Sequence, residues 1–279
     1  MMVLANVAAA NPASAMEAVL APSEVGVYAI AAKSVLVNVR VDEDTESTFK
    51  VRVEVSEKGQ VVVERTISDL FTLFALPAIR LVEMDASNDR PEVFLSSWSG
   101  GAHCCNEIAV FTKGDDGWAE LPFGSFDART DPGQLVDADY DGISELIAVD
   151  DRFLYEFASY AGSAAPIRII GIREGRKADV TREPQFEDRV TRSLDDMGAA
   201  PDVGEARNSW LASYAAHLLL LGEDDPLDFA IGTHDASVDW GMTRCTVEIT
   251  QGSCPDGKSE NIGFEAALTQ FLTETGYLR

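Results

Sequence analysis

Residues 49–67 read Phe-Lys-Val-Arg-Val-Glu-Val-Ser-Glu-Lys-Gly-Gln-Val-Val-Val-Glu-Arg-Thr-Ile, and this stretch decides the fold class. Its first half alternates apolar and charged side chains, which is the two-residue period of a half-buried strand. The Lys-Gly pair at positions 58 and 59 then supplies a turn before a second, valine-rich run. The sequence therefore predicts a β-hairpin here, and a mainly β fold around it.

The rest of the chain adds strands first and helices afterwards. From Val25 to about Thr181, β-rich runs alternate with turns that contain Gly, Asp and Pro. Further strands are predicted at Val93–Trp98, Glu107–Thr112, Leu146–Val149, Phe153–Tyr160 and Ile167–Ile172. After Pro184 the apolar residues recur at helical spacing, which predicts helices near residues 186–197, 210–221 and 264–276. This segregated order predicts an α+β fold, because a parallel sheet would need strands and helices to alternate.

The composition divides the chain into three parts. Residues 1–21 form a signal-like or disordered segment, because small apolar residues lead to Ala13-Ser14-Ala15, an arrangement typical of a cleavage site. No Lys or Arg precedes Lys33, so a signal peptide would need a basic start encoded further upstream. Residues 22–183 form a β-rich domain with two acidic-loop repeats, and residues 184–279 form a helical C-terminal region.

The charge of the chain excludes some partners and favours others. The sequence has 47 Asp and Glu against 22 Lys and Arg, a net charge of −25. Such a protein repels phosphate backbones, so nucleic acid is not expected as a partner, whereas cations are attracted. No apolar run reaches the roughly 18 residues that a transmembrane helix needs. The four cysteines are an even number, which fits an oxidising periplasmic or extracellular location.

The segment from Val136 to Leu146 predicts a calcium site. Its sequence is Val-Asp-Ala-Asp-Tyr-Asp-Gly-Ile-Ser-Glu-Leu, so three aspartates alternate before a glycine that permits a sharp turn. Calcium prefers six to eight hard oxygen ligands. The expected ligands of a single ion are the carboxylates of Asp137, Asp139, Asp141 and Glu145 and the carbonyl of Ile143. The alternative is an acidic turn without an ion, which is common at this composition.

This loop is not an EF-hand, and a second copy of it is degenerate. An EF-hand needs a glutamate at the twelfth loop position and an exiting helix, whereas this chain has Ala148 in a predicted strand. The segment from Glu83 to Val93 repeats the pattern weakly. Aligning Glu92 with Glu145 places Met84, Ala86 and Asn88 where the second loop has aspartates. The first loop is therefore expected to keep the shape of the turn without the ion.

These motifs resemble the FG-GAP/VCBS class of calcium-loop β repeats. More narrowly, they resemble uncharacterised exported bacterial proteins in which one such loop precedes a GGAHCC motif and a second precedes a DDRFxYxFxSY segment. The matching residues here are Gly100–Cys105 and Asp150–Tyr160, and the resemblance covers roughly residues 60–185. It implies antiparallel β repeats in a partial-propeller-like or atypical sheet assembly, because two visible repeats cannot close a propeller. The resemblance does not point to any particular activity.

The cysteines are predicted to form structural disulfides. Cys245 and Cys254 lie close in sequence around a Gln-Gly pair and can bridge a short loop, which would leave Cys104 with Cys105. Neighbouring residues on a strand point to opposite faces, which disfavours a metal site or a Cys-His dyad at His103, Cys104 and Cys105. Pairings that link the β region to the C-terminal segment stay open.

No catalytic motif stands out in the sequence. It contains no GxSxG, HExxH, Walker or GxGxxG pattern. His217 lies in an apolar helical stripe and is expected to be a core residue, whereas His234 lies in a polar loop. The leading hypothesis is an exported, non-catalytic, calcium-stabilised binding or structural protein of the bacterial envelope, with a protein or glycan ligand. The alternatives are a hydrolase with an unrecognised carboxylate site and a thiol-disulfide protein that uses Cys104 and Cys105.

Overall fold

The computed structural model describes residues 18–45, 48–70, 76–100, 104–127, 134–248 and 254–278, without the side chains of Asp69 and Cys104. The chain divides into two compact units. The first comprises Met1–Ala148 and Ile169–Val180, and the second comprises Val149–Arg168 and Thr181–Arg279. The second unit thus includes a segment near residues 149–168 that the sequence analysis assigned to the β region.

The first unit contains three antiparallel sheets, each built on four strands that are consecutive in sequence. The strands of the first sheet, in spatial order, are β2 (Gly26–Ala32), β3 (Val35–Thr45), β4 (Thr48–Glu57) and β5 (Gln60–Leu70). Those of the second are β1 (Ala18–Leu20), β6 (Ala78–Val82), β7 (Glu92–Trp98), β8 (Cys104–Gly114) and β9 (Gly117–Asp127). Those of the third are β10 (Leu135–Val136), β11 (Glu145–Val149), β12 (Ile167–Arg173) and β13 (Arg176–Asp179). The prediction of a mainly β fold with a helical C-terminal region is confirmed.

The hairpin predicted from residues 49–67 is β4 and β5. Val53 pairs with Arg65, and the strands are joined where Glu57 pairs with Gln60. Lys58 and Gly59 both have positive φ values, 51° and 82°, so two residues adopt the left-handed turn conformation that glycine favours. The alternating valines of β4 are buried, as their period predicts.

The second sheet is the middle layer of the first unit. One of its faces, which includes Val93 and Leu95 of β7, shares a core with the buried valines of β3 and β4. Phe94, between them in sequence, points to the opposite face and shares a core with Leu146 of β11 and Ile170 of β12. Successive side chains of β7 therefore enter two different cores, which explains why this strand is apolar at nearly every position.

The second unit is mostly helical. Its helices are α1 (Glu187–Asp196), α2 (Glu205–Leu221), α3 (Asp228–Thr233) and α4 (Phe264–Glu274), and its strands β14 (Thr243–Cys245) and β15 (Ser259–Asn261) form a hairpin. The three predicted helices correspond to α1, α2 and α4, whereas α3 was not predicted. Within the described ranges, no helix is long and apolar enough to cross a membrane.

The strand predicted at Phe153–Tyr160 is wrong. The segment contains short 3₁₀ turns at Asp151–Phe153 and Tyr160–Gly162 instead. Tyr155 has a φ of +65°, which interrupts an extended chain. Phe153 and Phe157 both pack against Phe271 of α4, with ring centroids 4.7 and 5.5 Å away. Their apolar spacing therefore reflects burial against a helix and not the pleat of a sheet.

Gly241 allows a close backbone approach within the second unit, and its substitution should be strongly destabilising. It has a φ of +73°, and a Cβ placed there would lie 1.9 Å from the carbonyl oxygen of Glu156. We expect Gly241→Ala to lower the free energy of unfolding by about 3 kcal/mol or more, because strain and a backbone clash add. The measurement is chemical denaturation.

Gly198→Ala is the matched control for this prediction. Gly198 also has a positive φ, +63°, but no atom lies within 4 Å of the position of a Cβ. It should lose only about 1–2 kcal/mol, the cost of the left-handed conformation alone. Equal losses in the two variants would contradict the importance of the contact with Glu156.

Candidate metal centre

The loop between β10 and β11 is curled by its own aspartates. The backbone N–H of Asp141 donates to Asp137 Oδ1 at 3.0 Å and to Asp139 Oδ1 at 3.2 Å. The N–H of Gly142 donates to Asp137 Oδ2 at 3.0 Å, and that of Ile143 donates to Asp141 Oδ1 at 2.7 Å. Gly142 has a φ of +92°, as the predicted sharp turn requires. These side-chain-to-backbone bonds close the loop on itself.

The curled loop brings the three aspartates together. Asp137, Asp139 and Asp141 each offer one carboxylate oxygen, and these oxygens all lie within 4.8 Å of one another. Burial raises the pKa of Asp139, and the negative charges of Asp141 and Asp137 raise it further. Three carboxylates this close repel one another unless a cation lies among them.

Glu145, the first residue of β11, lies at the end of the loop, and one of its carboxylate oxygens accepts no hydrogen bond within the described residues. It is fully buried, with 0% exposure. Its Oε2 accepts the N–H of Ala138 at 3.2 Å, but its Oε1 accepts no hydrogen bond in the described part of the chain. The nearest cationic atom is Arg173 Nη1, 4.0 Å from Oε1. A buried carboxylate oxygen without a hydrogen-bond donor lowers the stability of the folded state by about 1–3 kcal/mol, so its environment needs an explanation.

The environment of Glu145 disfavours its ionised form. Burial raises the pKa of its carboxyl to about 7, and the charges of Asp139 and Asp141 contribute to the rise. The N–H of Ala138 and the charge of Arg173 oppose it only in part. A divalent ion beside these groups would stabilise the ionised carboxylate and supply the contact that Oε1 lacks. Ile143 lies in the loop as expected, and the role of its carbonyl as a ligand stays a prediction.

The first acidic loop, between β6 and β7, has the same hydrogen-bond frame. Glu92 begins β7 as Glu145 begins β11, and its Oε2 accepts the N–H of Asp85 at 3.1 Å, seven residues earlier. The N–H of Arg90 donates to Asn88 Oδ1 at 2.8 Å, which matches the bond from Ile143 to Asp141. The alignment of Glu92 with Glu145 that the sequence suggests therefore describes equivalent positions in the structure.

The oxygens of Glu92 are fully used by protein donors. Oε2 also accepts the N–H of Met84 at 2.7 Å. Oε1 accepts Asn88 Nδ2 at 3.0 Å and the hydroxyl of Thr112 at 2.9 Å. Burial nevertheless raises the pKa of Glu92 to about 7, against these hydrogen bonds. Both oxygens of Glu92 therefore have protein donors, whereas Oε1 of Glu145 has none in the described part of the chain.

An arginine ties the first loop to its surroundings. The guanidinium of Arg90 donates to Glu57 at 2.5 Å, and Glu57 also accepts Lys113 Nζ at 2.7 Å and Trp118 Nε1 at 3.1 Å. These donors, Lys113 first and then Arg90, hold the pKa of Glu57 at about 2. This cluster was not predicted from the sequence. Its signal is the Arg-Pro pair at positions 90 and 91, which places a cation inside an acidic loop.

The two acidic loops are direct neighbours. The N–H of Ser144 in the second loop donates to the carbonyl oxygen of Glu83, just before the first loop, at 2.7 Å. Lys33, in the turn between β2 and β3, donates to Glu83 Oε2 at 3.0 Å and to the carbonyl of Asp89 at 3.2 Å. Corresponding loops of all three sheets therefore line up at one end of the first unit.

The remaining predicted residues have structural contacts. Cys245 and Cys254 form a disulfide with their Cα atoms 5.5 Å apart. The proposed partner disulfide depends on the side chain of Cys104, and His103 also lies outside the described residues. His217 is buried, as expected, with Nδ1 2.8 Å from the carbonyl of Ser213. Burial lowers its pKa.

His234 and Asp150 are likewise held by local contacts. The ring of His234 stacks on Phe264 with centroids 4.9 Å apart, and its Nδ1 lies 2.7 Å from the carbonyl of Ile231. Asp150 accepts Arg152 Nε at 2.8 Å and the hydroxyl of Tyr277 at 3.1 Å. This ion pair between Asp150 and Arg152 joins the start of the second unit to its C-terminal residues.

Comparison with known proteins places the chain in a family. A family model described as the sll0997 C-terminal domain matches residues 186–276, which contain α1 to α4. A protein named "Probable thylakoid lumen protein sll0997", from Synechocystis sp. (strain ATCC 27184 / PCC 6803 / Kazusa), is 34% identical over 240 residues, which are 84% of this chain and 69% of that protein. The chain belongs to the sll0997 family.

A second member of the comparison is longer. "Uncharacterized protein y4bJ", from Sinorhizobium fredii (strain NBRC 101917 / NGR234), is 31% identical over 205 residues, which are 72% of this chain and 32% of that protein. No solved structure matches the chain. The sll0997 relationship covers both the β unit and the helical unit, whereas the resemblance to FG-GAP/VCBS repeats stays a prediction.

The buried Glu92 predicts a pH dependence of stability that does not involve the aspartate loop. Its pKa is about 7 in the folded protein and lower when the chain unfolds. Glu92 therefore stays protonated to a higher pH in the folded state than in the unfolded chain. The free energy of unfolding should fall as the pH rises from about 4.5 to about 7. We expect Glu92→Gln to remove up to about 3 kcal/mol of this fall. The measurement is urea unfolding at several pH values.

The test compares how steeply the free energy of unfolding changes with pH. The free energy at a single pH is not suitable, because glutamine also changes the hydrogen bonds of residue 92 and so shifts stability at every pH. Glu64→Gln, an exposed glutamate of β5, is the control and should leave the slope unchanged. Stability curves for the wild type and Glu92→Gln that run parallel from pH 4.5 to 7 would contradict the prediction.

Proposed function

We propose that this member of the sll0997 family is an exported, non-catalytic binding or structural protein of the bacterial envelope, stabilised by one calcium ion. The ion is held by Asp137, Asp139, Asp141 and Glu145, with the Ile143 carbonyl as a further ligand. The observation that carries the proposal is the convergence of one carboxylate oxygen each from Asp137, Asp139 and Asp141 within 4.8 Å. Glu145 is not part of that group in the structure, but its buried Oε1 accepts no hydrogen bond in the described part of the chain.

Calcium fits this set of ligands better than other common ions. All the side-chain ligands are hard carboxylate oxygens, which calcium and magnesium prefer and zinc does not require. The loop is built from flexible turns, and magnesium demands a tighter octahedron than such a loop imposes. The ion would act through stability: it would offset the repulsion among Asp137, Asp139 and Asp141.

Export is supported by two observations. The relative from Synechocystis is named a probable thylakoid lumen protein, and a lumen is an exported compartment. The disulfide between Cys245 and Cys254 is of the kind that persists in oxidising compartments. Of the signal-like residues 1–21, residues 1–17 lie outside the described part of the chain, whereas Ala18–Leu20 form β1 and pair with β6.

A protein or glycan is proposed as the partner, and exposed aromatic rings offer a place for it. Tyr155 and Trp240 are 51% and 42% exposed. The indole N–H of Trp240 donates to the carbonyl of Tyr155 at 2.9 Å, and the ring of Tyr155 lies 5.6 Å from that of Tyr160. Rigid, exposed aromatic rings held together in this way are typical of binding surfaces.

Calcium should raise the melting temperature of the protein. The folded state binds the ion and the unfolded chain does not, so the gain is about 2.7 kcal/mol when calcium is a hundredfold above Kd. We expect chelation to lower the melting temperature by several degrees, and Asp139→Asn or Asp141→Asn to abolish the response. Magnesium should substitute poorly. The measurements are thermal unfolding with EDTA or millimolar calcium, and titration calorimetry.

Asp116→Asn is the control for charge. Asp116 is exposed in the turn between β8 and β9, so its substitution removes one carboxylate without touching the loop. It should leave the calcium response unchanged. Identical melting curves with EDTA and with calcium, together with no heat of binding, would reduce the loop to an acidic turn.

Substitution of Trp240 should weaken partner binding. We expect Trp240→Ala to reduce retention of the protein on a glycan array, or on envelope protein immobilised from the producing organism, at least threefold. The control is Val203→Ala, which truncates another exposed side chain of the second unit. Equal losses for the two variants would argue against a specific contact at the aromatic rings.

A further inference from the structure

The first and second sheets pack tightly in the middle, but their facing side chains become small or polar toward one end. Along β7 the positions that face the first sheet change from Val93 and Leu95 to Ser97. On the neighbouring β8 they change from Phe111 to Glu107, which pairs with Ser97 in the sheet. Side chains of this size cannot fill the space between two sheets, which normally lie about 10 Å apart.

The unfilled space is a cavity of about 810 Å³ within the first unit. Leu95 and Ala109 of the second sheet and Ile67 of the first provide an apolar wall, and Trp98 provides an aromatic one. On β9 the lining residues are Glu120, Pro122 and Gly124. Pockets that bind small molecules have about this volume and this mainly apolar lining.

The charged groups among the described lining residues leave one negative charge. Arg65 of β5 donates through Nη1 to both carboxylate oxygens of Glu120 on β9 at 2.8 Å, so these two charges neutralise each other. Glu107 also lines the cavity; it is exposed, and within the described ranges its side chain makes no hydrogen bond or ion pair. The hydroxyls of Ser68, Ser97 and Ser99 add neutral hydrogen-bonding groups.

We propose that this cavity binds a small amphipathic organic cation, that is, a molecule with an apolar body and an ammonium group. The apolar wall receives the body, and Glu107 receives the charge. The ring of Trp98 can add a cation–π contact. The net charge of −25 raises the local concentration of cations and disfavours anionic ligands. This site is separate from the acidic loops and does not depend on calcium.

The experiment compares three probes of similar size that differ in charge. They are 2-phenylethylamine, 2-phenylethanol and 3-phenylpropionate, titrated into the full chain at pH 7 and low salt by ligand-observed NMR. The amine should bind at least threefold more tightly than the alcohol, and the carboxylate most weakly. Glu107→Gln should bring the affinity for the amine down to that for the alcohol, and the affinity for the alcohol should stay the same.

Two variants that fill the cavity test its location. Ser97→Leu introduces a larger side chain inside the cavity. Ser68→Phe introduces one at an exposed position of the lining, where a larger side chain should not prevent folding. Both should abolish binding of the amine and of the alcohol in protein whose far-UV circular dichroism is unchanged. Glu64→Gln, which removes a charge outside the lining, should change nothing.

Three results would overturn the proposal. One is the absence of binding of all three probes to the wild type at millimolar concentration. Another is equal affinity for the amine, the alcohol and the carboxylate. The last is amine binding that survives Ser68→Phe in folded protein.

Discussion

The first unit depends on two buried glutamates, each of which begins a strand: Glu92 begins β7 of the second sheet, and Glu145 begins β11 of the third. Glu92 and Glu145 each accept backbone N–H groups from the loop that leads into the strand, and so fix the shape of that loop. A carboxylate is suited to this role because its two oxygens can accept several N–H groups at once. The same burial makes the ionised form unfavourable, so each glutamate needs further donors or a cation.

The two loops satisfy this need in different ways. Around Glu92, Asn88 and Thr112 supply the remaining donors, and Arg90 holds the loop to Glu57 of the first sheet. Around Glu145 the corresponding oxygen has no donor, and the loop carries aspartates instead. One frame thus exists in two versions. In the first, protein groups donate to both oxygens of the glutamate, and in the second, one buried oxygen accepts no hydrogen bond in the described part of the chain. The proposed calcium ion would take the place that Asn88 and Thr112 have in the first version.

Local patterns in the sequence were sufficient for most of the fold. The hairpin of β4 and β5 follows from the alternation of apolar and polar side chains over seven residues and from a Lys-Gly turn. Helices α2 and α4 follow from apolar residues at helical spacing, and these residues are buried or partly buried in the structure. The segment after Asp150 was misjudged because the apolar spacing of Phe153 and Phe157 fits a strand as well as a 3₁₀ segment packed on α4. Nothing in that local pattern distinguishes the two, since the difference arises from contacts more than a hundred residues away.

The candidate metal centre was also a local feature, so its aspartates could be named from the sequence. The role of Arg90 could not, because its partner Glu57 lies 33 residues earlier and meets it only when the first two sheets pack together. The same holds for the cavity, whose walls come from β5, β7, β8 and β9.

Antiparallel meanders place alternate turns at opposite ends, and the two ends of this unit have opposite properties. At the end with the acidic loops, Lys33, Arg90 and Lys113 join the turns of neighbouring sheets through paired charges. At the other end, Ser97 takes the place of a larger core residue, and the cavity lies between the first and second sheets. The ion pairs of Lys33, Arg90 and Lys113 and the cavity therefore lie at opposite ends of the packed first and second sheets, and the apolar side chains of β3, β4 and β7 fill the core between them.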